Sequence, residues 1–73
     1  MARKVAFYIR QEQWYIVGFR YNADLVHALK ADIPGRERKW NAKTKSWSIA
    51  ITYWDVFCRL MDIYEYDIED ARE

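Results

Sequence analysis

The side chains with the most chemistry in them are crowded into one stretch. Between Pro34 and Trp47 the chain carries Arg36, Arg38, Lys39, Lys43 and Lys45, together with Trp40 and Trp47. Clustered ammonium and guanidinium groups bind phosphates by releasing counterions, with no regard to base sequence and with strong salt dependence. Rings beside such a cluster can stack on bases. In a small domain, however, large rings usually anchor the core, and that use is expected of both Trp40 and Trp47. Exposed stacking is expected instead from Tyr8 and Trp14, each sharing a strand face with a cation, Arg10 and Arg20 respectively.

The remaining reactive side chains lack companions. His27 is the lone histidine, and it falls between the apolar positions of its segment, so it should point outward. No cysteine stands at ligand spacing from it, so no metal site is expected. Cys58 follows Phe57 and reads as a small hydrophobe; nucleophilic catalysis needs a base held beside the thiol. Two isolated glycines cannot build a phosphate-cradling loop. Asp67, Glu69 and Asp70 lie in a tail without the surroundings that carboxylate catalysis requires. The expectation is a protein that is not an enzyme and has no cofactor.

The elements that must position these residues follow from periodicity. Val5 to Ile9 alternates as a strand with Val5, Phe7 and Ile9 on one face and Lys4, Ala6, Tyr8 and Arg10 on the other. The first set is expected to face the core. Arg10 to Gln13 is a polar turn, and Trp14 to Arg20 a second strand, with Tyr15, Val17 and Phe19 inward and Trp14, Ile16, Gly18 and Arg20 outward. Asn22 caps a helix over 23–32, with Asp24 in its first turn and Pro34-Gly35 beyond its end. Leu25, Val26, Leu29 and Ile33 mark its apolar face. A second hairpin pairs 37–41 with 46–51, so Trp40 and Trp47 should meet across the strands. Thr52 and Asp55 resemble a capping box for a helix over 53–62. The alternation from Ile63 to Ile68 allows a short fifth strand, and residues 69–73 read as a frayed tail.

The order β-β-α-β-β-α predicts an α+β fold: one four-stranded antiparallel sheet with both helices on one face. With 73 residues, only one domain is expected. Hydrophobic residues make up 52% and aromatics 18%, enough for a core without other staples. A single cysteine excludes an internal disulfide and fits an intracellular site, cytoplasmic or nucleoid/nuclear. The apolar runs are too short to span a bilayer or to serve as a signal peptide.

The net charge of +1 hides a division. Residues 1–48 hold ten Lys/Arg against four acids, and residues 49–73 hold seven acids against two Arg. Such asymmetry speaks of partners rather than of fold. The basic part suits a polyanion, and the acidic part a protein.

The run from Tyr21 to Ile51 resembles the HARP domain of annealing helicases and related modules beside DNA-remodelling motors. The matching residues are Tyr21-Asn22-Ala23-Asp24-Leu25-Val26, Leu29-Lys30, Ile33-Pro34-Gly35-Arg36, Lys39-Trp40-Asn41, Lys43-Thr44-Lys45 and Trp47-Ser48-Ile49. Trp14 to Phe19 fits the strand that precedes them, so the resemblance covers about three quarters of the chain. These motifs are a cap, a helix stop and hairpin tryptophans, which speak for fold more than for function. The resemblance implies binding to forked DNA or to single-strand/duplex junctions in repair or replication. Carried over by residue, Arg36, Lys39, Lys43 and Lys45 would touch the DNA backbone. Nothing in this chain could hydrolyse ATP, so a helicase or other DNA-processing protein would be a partner. The rival expectation is a protein-interaction or inhibitor module that docks on such a protein through its exposed sheet face or its acidic C-terminal third.

Overall fold

The structure, a computed structural model, describes residues 4–71. Strands β1 (Lys4–Gln11) and β2 (Trp14–Gly18) are followed by helix α1 (Ala23–Asp32), strands β3 (Arg38–Asn41) and β4 (Ser46–Ala50), helix α2 (Trp54–Ile63) and strand β5 (Tyr66–Asp70). The fold is α+β, but the sheet has five strands in the order β3-β4-β2-β1-β5, with β5 parallel to β1 and the other pairs antiparallel. The expected four-stranded antiparallel sheet is corrected by β5. Tyr66 is buried in it and donates its hydroxyl to the Arg20 carbonyl at 2.9 Å. The strand takes in Glu69 and Asp70, which the sequence reading assigned to a frayed tail, and the Ala71 N–H still reaches the Tyr8 carbonyl at 2.7 Å.

The connections explain the layering. β2 and β3 run parallel with α1 between them in sequence, and β4 and β5 run parallel with α2 between them. The two crossovers run in opposite strand directions and step toward opposite edges of the sheet. The right-handed preference for such units therefore sends both helices to the same face. Leu25, Leu29 and Ile33 from the first helical segment and Phe57, Leu60 and Met61 from α2 close over Ala6, Val17, Trp47, Ile49 and Tyr66. Burial of each large apolar side chain contributes about 1.5–3 kcal/mol.

Local chemistry sets the helix ends. The Asn22 side chain accepts from the Leu25 N–H at 3.1 Å, as the cap reading expects. The capping box at Thr52 and Asp55 does not form. A 3-10 turn over Ile51–Tyr53 leads into α2, so the Trp54 N–H is satisfied by the Ile51 carbonyl and no side chain is used. Among the described residues no helix is long and apolar enough to cross a membrane.

One strand lies in the opposite phase to the expectation. β1 turns Ala6 and Tyr8 toward the helices, whereas Val5 and Phe7 are 39% and 51% exposed. Tyr8 packs against the stacked Tyr15–Trp54 pair, with ring centroids 5.6 and 5.3 Å away. A strand that is apolar on both faces has no periodicity to choose a side. Volume decides here: Ala6 leaves room beneath the helical layer that Phe7 would fill.

Candidate nucleic-acid interface

The hairpin β3–β4 is held by its own side chains. Asn41 Oδ1 accepts from the N–H groups of Lys43 and Thr44 at 2.9 and 3.3 Å, and the Thr44 and Ser46 hydroxyls lie 2.6 Å apart. Lys45 closes the turn at φ 54°, in the left-handed region. Trp40 stands opposite Trp47 in register, with ring centroids 5.2 Å apart. The cross-strand pair therefore forms, yet its members differ. Trp47 is 7% exposed and belongs to the core; Trp40 is 52% exposed. Assigning both rings to the core is corrected for Trp40, because β3 is the outermost strand and nothing packs beyond it.

Trp40 shares its surroundings with the start of α1. Tyr21 precedes the Asn22 cap and Val26 lies four residues beyond it, the two positions of a hydrophobic staple. Both line a groove with Trp40 and Trp47, formed by two adjoining cavities of about 460 and 290 Å3. Lys30, one turn beyond Val26, and Arg38 close the larger cavity; Lys45 and Phe19 close the smaller. Tyr21 is 77% exposed. Three cations and two exposed rings thus face one groove, and among the described residues no carboxylate lines it. Arg38 is fixed there because its Nε donates to the Ile33 carbonyl at 2.9 Å, tying the end of α1 to β3.

The residues proposed from sequence are not brought to one place. Arg38 and Lys45 reach this groove. Lys43 is exposed in the hairpin turn. Arg36 lies in a 3-10 turn beside Glu37, its Nε 3.7 Å from the carboxylate. Lys39 points to the opposite side of the sheet, where its Nζ sits 4.8 Å from the Trp14 ring. Glu12 lines that second hollow with Lys39 and Trp14, which makes it a weaker seat for phosphate. Tyr8 and Arg10 lie on the helix side near Tyr15, the Arg10 guanidinium 5.9 Å from that ring. Arg20 is exposed beyond β2. Trp14 does face away from the helices, paired with Gln11 and Ala50. Tyr21 and Lys30 were missed as site residues, although staple spacing and the i, i+4 step from Val26 mark them in the sequence.

Other chemistry is sparse. His27 is exposed on α1. Cys58 is half-buried, and burial, followed by the nearby Asp55 carboxylate, raises its pKa, so the thiol stays protonated at neutral pH. Among the described residues no three His, Cys, Asp or Glu side chains gather in a way that could hold a metal. No protein-family model matches the chain, and no match to it is found among curated proteins or solved structures.

Proposed function

We propose that this chain is a non-enzymatic nucleic-acid-binding module that holds a DNA strand in the groove between the start of α1 and the β3–β4 hairpin. Lys30, Arg38 and Lys45 take the phosphates, and Tyr21 and Trp40 offer faces for bases. The observation that carries the reading is the sign of the lining: among the described residues every charge in the groove is positive, and its two exposed rings are Tyr21 and Trp40. The acidic strand β5 lies at the far edge of the sheet, away from a bound polyanion. The resemblance of Tyr21–Ile51 to HARP domains points the same way. On that reading the module belongs beside a helicase or another DNA-processing protein inside the cell, and its ligand is a fork or a single-strand/duplex junction.

Fluorescence anisotropy with labelled single-strand, fork and duplex DNA at several salt concentrations tests this. Three neutralised phosphates give a log–log slope near about −2 on a single strand. Lys30→Glu and Lys45→Glu should each make that slope shallower by about one. Absence of binding at low salt, or binding that salt does not weaken, rules the reading out.

A further inference from the structure

Among the described residues, none forms a second layer on the side of the sheet away from the helices. β1 and β2 put Val5, Phe7, Ile9, Trp14 and Ile16 there, with Val5 and Phe7 at 39% and 51% exposure. Large apolar side chains side by side on a solvent-facing sheet mark an interaction surface rather than scattered exposure. Its two borders have opposite charge. Lys39 stands at the β3 edge and leans over Trp14, and Glu69 stands at the β5 edge, in register with Phe7. Opposite Phe7 on β2 is Gly18, with no atom within 4 Å of where a side chain would begin.

We infer that a second copy of this chain covers this face. A partner related by a two-fold axis parallel to the strands lays each β3 edge over the other copy's β5 edge. Lys39 then meets the Glu69 border, and Trp14 and Ile16 on the central strand β2 meet their own copies, as an isologous interface requires. An axis across the strands would set like charge on like and is disfavoured. The same rotation lays β2 on the other copy's β2 and β1 on its β4, so Phe7 is covered by the partner sheet. Sheets pack this way about 10 Å apart with strands nearly aligned. Five strands spaced about 4.8 Å and about 17 Å long offer about 400 Å2 in flat projection. Doubled, this is about 800 Å2, below the standard size and within the range of weak, transient pairs, so association should be seen only toward the upper end of the concentration range. The groove lies on the opposite layer, so pairing leaves it open.

Sedimentation equilibrium of the full chain over about 10 to 500 µM tests the inference, because mass action must move the mass. The mass should rise from 8.9 kDa toward twice that value. Phe7→Glu should raise the dissociation constant at least tenfold while circular dichroism at low concentration shows the fold of the single chain retained, because Phe7 is already half exposed there. Lys39→Glu and Glu69→Lys should each weaken pairing, and the double exchange should restore it. A monomer at every concentration overturns the inference. So does a dimer indifferent to Phe7→Glu, or a monomer in which another part of the chain protects Val5 and Phe7.

Discussion

The two sides of this sheet are built from the same five strands, with side chains alternating between them, yet they differ in kind. The helix side combines a closed core with a cationic groove at its β3 end, where Trp47 is sealed and Trp40 is half open. The far side is an apolar band bordered by Lys39 and Glu69, and Glu12 lines the hollow beside Lys39. Density of positive charge in the sequence is therefore a poor guide to a polyanion site. Alternation divides Arg38 and Lys39, neighbours in sequence, between opposite layers. On the proposed reading, a charge cluster becomes a site only where another element, here the start of α1, closes the other wall.

The contrast can be broken most forcefully at the hairpin tryptophans. Trp47→Ala removes a buried indole and should destabilise the fold by about 3–5 kcal/mol in urea titration, a large share of what so small a domain has. Trp40→Ala should leave the fold largely intact and weaken single-strand binding by about 1–3 kcal/mol, read by anisotropy. Equal stability losses from the two substitutions would erase the distinction between a core ring and a site ring.

A smaller effect sharpens the same comparison by separating stability from binding. Lys45 sits at φ 54°, where a non-glycine residue is strained by about 1–2 kcal/mol. Lys45→Gly relieves that strain, less the entropy that glycine loses on folding, so the melting temperature should rise with a net gain of about 0.5–1 kcal/mol. The same change removes a groove cation, so DNA binding should weaken and its salt slope become shallower by about one. Stability and affinity moving together in that variant would mean that Lys45 acts on binding only through the fold.

Much of the architecture was legible because single elements carried several agreeing signals. For α1, an asparagine cap, an acidic first turn, a 3.6-residue apolar stripe and Pro34-Gly35 all pointed to one segment. For β4, the alternation of Trp47 and Ile49 with serines fixed both the strand and its inward face. β1 failed for a physical reason: Val5, Phe7 and Ile9 on one face and Ala6 and Tyr8 on the other are all apolar, and only the three-dimensional space beneath the helical layer selects between them. β5 was half legible, since its alternation was visible but its parallel pairing with β1 depends on the crossover through α2. The basic stretch was legible as chemistry but not as a place. Tyr21 and Lys30, which complete the groove, lie outside that stretch and join it only through the packing of α1.

The most direct measurement is an amide and indole chemical-shift titration of the labelled chain with a short single-stranded DNA at low salt. The account predicts that Tyr21, Lys30, Arg38, Lys45 and the Trp40 indole N–H shift together and saturate together, while Val5, Phe7 and Glu69 stay in place. Shifts centred on the open side of the sheet or on β5, or none at all with DNA in excess, would contradict it.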